Sequence, residues 1–231
     1  MLFFLMMMIV GVTPVDVEAL IVKLNPEVGP LTKAMVAETV AEYAPKAGFT
    51  TLDDIKLILS VIQVESSFVH KKAAGASGEW GMMQVIPGDM HIRLAARNYV
   101  CSDEEADKLV RDGDGYFRVC YGRKPNIYSI KGEIYPNRLA RFVKHSPRAG
   151  IAIGIYEMEY WKKMYDTKYK ARFWDNPLAV PTWRRLWHEK IKSELGSQVW
   201  ICHYNYGGRI KLSITGYNYP LSIIKNLSAM K

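Results

Sequence analysis

The apolar positions of this chain recur mostly at helical spacing. From Thr32 to Tyr43 the residues Met35, Val36, Val40 and Tyr43 fall on one side, and Pro45 and Gly48 close the segment. Thr51 or Asp53 can cap the next helix, which runs from Leu52 through Glu65. Another helix is expected to begin near Gly88. Helical spacing returns over Pro147 to Tyr165, with Ile151, Ile155, Met158, Trp161 and Tyr165 on one face. It returns again over Thr182 to Tyr204, with Trp187, Ile191, Leu195, Val199 and Cys202 as the stripe and Gly207-Gly208 as the stop. Between about Cys101 and Lys144 the period is lost among Gly, Pro, Asn and Tyr, the pattern of loops and short hairpins. The organisation predicted is a mainly α domain with an irregular insertion at about residues 100–146.

One polar residue sits where the pattern calls for an apolar one. At about 100° per residue, Glu65 continues the stripe of Ile58 and Ile62. A carboxylate on that face meets the core or a pocket wall. Desolvation there disfavours its charged form, the condition a general acid needs near neutral pH. A helix-end glutamate reaching back to solvent is the plainer alternative.

The surroundings of Glu65 strengthen the chemical reading. It is followed by Ser66-Ser67-Phe68. Then come Gly75-Ala76-Ser77-Gly78-Glu79-Trp80-Gly81-Met82-Met83-Gln84, far downstream His203-Tyr204-Asn205-Tyr206-Gly207-Gly208, and near the end Tyr219-Pro220-Leu221. Glycines let backbone approach a sugar closely. Gln84 offers both a donor and an acceptor. Met82 and Met83 suit either an adaptable apolar wall or plain core packing. Asn205 can face a site or cap a helix end.

In this order the four segments resemble the soluble lytic transglycosylase domain family, which is related to goose-type lysozyme. The likeness covers roughly residues 52–87 and 147–227. It implies a lysozyme-like (α+β) fold and cleavage of the β-1,4 bond between N-acetylmuramic acid and N-acetylglucosamine in peptidoglycan. Glu65 would be catalytic, as acid and then as base, giving a 1,6-anhydro product without a second carboxylate, in departure from the two-carboxylate scheme. Ser67, Gly78, Glu79, Met83, Gln84, Tyr204, Asn205 and Tyr219 would bind substrate, with no cofactor or metal. Three departures bear on this. Glu79 stands where the family carries a small residue, and with Trp80 it points toward the hydrolytic, lysozyme-like outcome, unless it is a solvated loop residue. Tyr206 replaces an Ala. Thr215 stands where a Glu is usual. A non-catalytic structural component of a virion or secretion apparatus is the alternative from another class.

Composition adds a charge argument. Lys and Arg outnumber Asp and Glu by 31 to 23, a net charge of +8, so polyanions attract this chain. The excess concentrates between Gly115 and Ala149, where eight cations, from Arg118 to Arg148, face only Glu133 and six aromatic residues are interleaved. Such a stretch can grip an anionic ring-bearing polymer by charge and stacking, or be a solvated basic surface. The expected partner is the peptidoglycan glycan strand, beside virion or secretion-apparatus proteins; no nucleic-acid motif accompanies the charge. Cys101 and Cys120 can pair in an oxidising compartment or stay as buried thiols beside Cys202. Asp112-Gly113-Asp114-Gly115 lacks the remaining ligands of a calcium loop and reads as a turn.

The uncharged run Met1 to Val12 is short for a membrane span. With Val17-Glu18-Ala19 as a small-residue cleavage site, residues 1–19 read as a signal peptide or membrane-anchoring segment, residues 1–12 carrying any membrane association. A buried first helix is the other option. The locations expected are the periplasm or cell envelope after export, or a phage virion.

Overall fold

The computed structural model describes residues 11–71, 75, 78–89, 92, 95, 98, 139–140, 143–174, 185–206 and 218–231. Most of the basic insertion, with Cys101, Cys120 and the Asp112 turn, therefore lies outside the described residues, as do Gly207 and Gly208; of the eight cations of the basic stretch Lys144 and Arg148 are described, and Arg148 is paired with Glu42. Of the described residues 76% are helical and none forms a strand, so this is a mainly α protein. The one β-type pairing among them is an isolated bridge, Trp80 to Val85.

The chain enters through α1 (Pro14–Leu24). Its start is closed by a capping box, Thr13 accepting from the Asp16 N–H while the Asp16 side chain accepts from the Thr13 backbone. Val17, Leu20 and Ile21 are buried against the rest of the core. A boundary after residue 19 therefore falls inside α1, and a cut there would remove Val17 from the core. Among the described residues no helix is long and apolar enough to cross a membrane.

Helix α2 (Pro30–Lys46) begins with proline at its first position, where no N–H is needed. It extends past Pro45 to Lys46. Helix α3 (Leu52–Ser66) has Thr51 as its N-cap, paired with Asp54 in a second capping box, a device typically contributing about 1 kcal/mol. From Ile55 to Ile62 all but Lys56 are buried. Helix α4 (Pro147–Met164), capped by Ser146, is the centre of the molecule. Every residue from Ala149 to Met158 is buried, because α2 packs on one side of it and the 196–206 segment on another. It runs on as a wider π-helical stretch, Tyr165–Trp174.

The single long helix expected over 182–204 is instead three pieces: α5 (Arg185–Leu195), a 3-10 stretch over Gly196–Ile201, and α6 (Cys202–Tyr206). Gly196 takes a left-handed φ of +52°, which costs glycine little. The tighter 3-10 turn then buries three consecutive residues, Val199, Trp200 and Ile201, which one stripe of an α-helix could not do. Trp200 stacks on Phe49 at 5.9 Å. Trp187, read as part of the buried stripe, is 45% exposed and has the Lys190 ammonium over its ring. The chain ends in α7 (Asn218–Ala229), which packs on α3 and α1.

Candidate functional site

Glu65 occupies the last turn of α3 and is half-buried, one turn beyond the fully buried Ile62. The helix stops immediately after it. Ser67 and Phe68 both adopt left-handed backbone, φ 53° and 62°, and the Ser67 N–H closes the turn on the Gln63 carbonyl. Two successive non-glycine residues in that region are costly, so the surroundings hold this turn in place. Phe68 is buried, while Ser67 is exposed. A groove of about 490 Å³ opens beside the turn, lined among others by Ser67, Phe68, His70 and Met82.

The following loop folds back over the end of α3. The Gly81 N–H donates to the Lys71 carbonyl, and Trp80 and Val85 exchange backbone hydrogen bonds at 2.9 and 3.0 Å. The Lys71 ammonium ties both ends together, donating to the Glu65 carbonyl at 2.7 Å and to the Gln84 Oε1 at 3.3 Å. Gln84 in turn donates through Nε2 to the Gly81 carbonyl. Its amide keeps one N–H and one lone pair for anything else.

Helix α4 carries the floor. A Cβ on Gly154 would lie 2.5 Å from the Met83 Sδ and 2.7 Å from its Cβ, so the glycine is the notch into which Met83 packs. Met83 is thereby fully buried; its side chain serves the core, and its carbonyl accepts the hydroxyl of Tyr204 at 2.9 Å. Gly81 likewise makes room for Val143, 3.0 Å from where its Cβ would be, whereas Gly78 has open space on that side. Glu79 folds over its own loop: a Cβ on Gly75 would meet its Oε1 at 2.2 Å.

Two buried tyrosines complete the site. Tyr204 in α6 and Tyr219 in the first turn of α7 are each less than a tenth exposed. Both phenols lie close enough to Glu65 and Glu157 to feel the two carboxylates. Burial pushes both phenols well above their ordinary range, and the neighbouring carboxylates push further: Glu157 then Glu65 on Tyr204, Glu65 first on Tyr219. The Cys202 thiol is also raised by burial. Asn205 belongs to α6, but its side chain lies outside the described residues.

Of the residues singled out from sequence, Glu65, Gln84, Tyr204 and Tyr219 come together with the Met83 carbonyl. Ser67, Gly78 and Glu79 sit on the adjoining turn and loop. No family model, curated protein or solved structure matches this chain. The site therefore stands on its own geometry.

The reading from sequence missed two members. Lys71 gave no pattern signal. Glu157 did: Ala149 to Met158 is otherwise uncharged, and a lone carboxylate inside so apolar a run marks either strain or use. Glu157 is 5% exposed and accepts the Trp161 indole N–H at 3.3 Å. His203, 1% exposed, stacks on Tyr169 at 4.5 Å and on Trp161 at 6.2 Å. Among the described residues no group of three or more His, Cys, Asp or Glu could hold a metal ion.

Proposed function

We propose that this protein is a peptidoglycan lytic transglycosylase of lysozyme-like fold, with Glu65 as its general acid and base. The observation that carries the reading is the convergence on Glu65 of residues more than a hundred positions apart in the chain. Tyr219 is near enough to feel its carboxylate, and Tyr204 is bonded to the carbonyl beside Gln84. These are the residues that the likeness to the soluble lytic transglycosylase domain family singles out.

In this mechanism Glu65, held partly out of water at the end of an apolar stripe, protonates the glycosidic oxygen between N-acetylmuramic acid and N-acetylglucosamine. The substrate's own acetamido group stabilises the developing positive charge. The resulting carboxylate accepts a proton from the muramic acid 6-hydroxyl, whose oxygen closes on C1 and gives the 1,6-anhydro end. Gln84 and Ser67 are the nearby polar groups for the sugar. The proposed setting is the cell envelope, reached by export, or a phage virion, with glycan strands as the partner.

The test is mass spectrometry of soluble fragments released from purified peptidoglycan by the wild type and by Glu65→Gln. Anhydro-ended fragments from the wild type and none from the variant are expected. Reducing-end fragments instead make the protein a hydrolytic lysozyme. No release from walls of several chemotypes overturns the glycosidase reading in favour of a structural component of a virion or secretion apparatus.

A further inference from the structure

The hydrogen bonds that tie the 78–85 loop to the end of α3 leave donors over. The Lys71 ammonium has three N–H groups. One goes to the Glu65 carbonyl at 2.7 Å and one to the Gln84 Oε1 at 3.3 Å. Both acceptors are neutral, and among the described residues no carboxylate pairs with this ammonium. The Gln84 amide is oriented by the same bonds: its oxygen accepts from Lys71, and one of its N–H groups goes to the Gly81 carbonyl at 2.7 Å. The Gln84 backbone is left-handed, φ 50°, so main chain and amide are both held by their surroundings. One N–H of Lys71 and one N–H of Gln84 remain, both next to the same amide oxygen and beside a full positive charge. A lysine that only closed the helix would need the Glu65 carbonyl and nothing more. Lys71 is exposed and Gln84 half-buried, so a ligand can reach the pair.

We propose that Lys71 and Gln84 together form a carboxylate-binding pair beside Glu65. A carboxylate brings two acceptor oxygens and a negative charge, matching two neighbouring donors and an ammonium that no acid neutralises. A neutral hydroxyl or acetamido group can use either donor but not the charge. The net charge of +8 favours the approach of such a ligand. The identity of the ligand rests on the glycosidase reading. On a peptidoglycan strand the carboxylates sit on the muramic acid branch: the lactyl carboxylate where the peptide has been removed, the peptide's own carboxylates where it remains. The N-acetylglucosamine residues carry none. Lys71 thereby distinguishes a peptidoglycan strand from an uncharged N-acetylglucosamine polymer of the same linkage.

The test is calorimetric binding to the full-length Glu65→Gln protein of three soluble strands of equal length: peptide-free peptidoglycan glycan, peptide-bearing glycan and an N-acetylglucosamine oligomer. With Lys71 present, a carboxylate-bearing strand is expected to bind about five- to tenfold more tightly than the neutral oligomer, the effect of an exposed ion pair with one added hydrogen bond. Which charged strand gains tells the lactyl carboxylate from those of the peptide. Lys71→Met abolishes the preference and Lys71→Arg retains it. A lysine that serves only to hold the loop lowers all three affinities together in Lys71→Met and leaves their ratio unchanged, which overturns the proposal. If Lys71→Met does not fold, the Lys71 Cε–H resonance decides, assigned by its loss in Lys71→Arg. It shifts with a carboxylate-bearing strand and not with the neutral oligomer; a resonance indifferent to all three overturns the pairing. Equal binding of the three strands overturns the pair and leaves the glycosidase reading standing, whereas binding of none overturns both.

Discussion

Helices α3 and α4 each place a glutamate on an inward face, and the two differ in what surrounds the carboxylate. On α3 the helix ends at the acid. The two residues that follow the helix, Ser67 and Phe68, are in left-handed backbone and line a groove that does not include Glu65 itself. On α4 the helix runs on past Glu157 for two further turns, with every residue from Ala149 to Met158 buried. A carboxylate at a helix end can meet a substrate; one in the middle of a sealed helix can act only through its neighbours. Position along a helix, as much as burial, decides which of the two carboxylates a ligand could reach.

The largest effect expected from breaking this difference is on turnover. Glu65→Gln lowers glycan release by about 10²- to 10⁴-fold, the range of a lost general acid. Glu157→Gln is expected to cost less, because Glu157 is 5% exposed and cannot meet the glycan itself. Steady-state release from labelled peptidoglycan measures both. Equal losses in the two variants would erase the distinction drawn between the two helices.

Next in size is packing. Gly154→Ala puts a methyl into the space that Met83 fills, closer than 3 Å to its sulfur and its Cβ. Met83 Cβ is anchored to backbone and cannot swing away, so overpacking of about 1–3 kcal/mol is expected, only partly offset by alanine's better helix propensity, about 1 kcal/mol. Urea denaturation reads the loss. The same change displaces the carbonyl that holds Tyr204, so activity falls with stability.

How much of this was legible in sequence depended on period. The stripe of α4 from Ile151 to Tyr165 and that of α3 up to Glu65 could be read because a regular helix repeats. The break in the 185–206 segment could not: Gly196 interrupts a stripe whose spacing continues on both sides, and only its left-handed turn shows that three consecutive residues go inward. Tyr204 and Tyr219 were found through short motifs around them. Glu157 escapes a pattern reading because a second acid is expected in a polar loop, as at Glu79, whereas the chemistry of a buried carboxylate is written in the apolar residues around it. Met83 was half-read: the residue belongs to the site by its carbonyl, and periodicity says nothing about carbonyls.

A smaller effect follows from the phenols. Tyr204 and Tyr219 titrate well above the ordinary tyrosine range in the folded protein, burial first and the carboxylates next, and near 10 (about the model-peptide value) when unfolded. A raised folded value means the native state holds the proton more tightly. The stability this contributes is fully present below about pH 10 and is lost as pH rises above it. In a spectrophotometric titration these two of the 14 tyrosines ionise last and together with loss of near-ultraviolet dichroism. Ionisation of all tyrosines with the fold intact contradicts the burial of the pair.

The smallest expected effect has the opposite sign. Ser67→Gly relieves a left-handed residue, φ 53°, and is expected to stabilise the protein by about 0.5–1 kcal/mol. The Ser67 hydroxyl makes only a long contact with the Gln63 carbonyl, 3.5 Å, so little is lost from the fold. Thermal denaturation should show a higher midpoint, and glycan binding by the inactive Glu65→Gln background should weaken as a hydroxyl leaves the groove. At the centre of α4 one added methyl destabilises because the space is full. At the end of α3 removing a side chain stabilises because the backbone, not the packing, carries the cost. A Ser67→Gly protein that is less stable would mean that the turn is held by contacts of the serine itself, and the strain at the end of α3 would then have to be sought at Phe68.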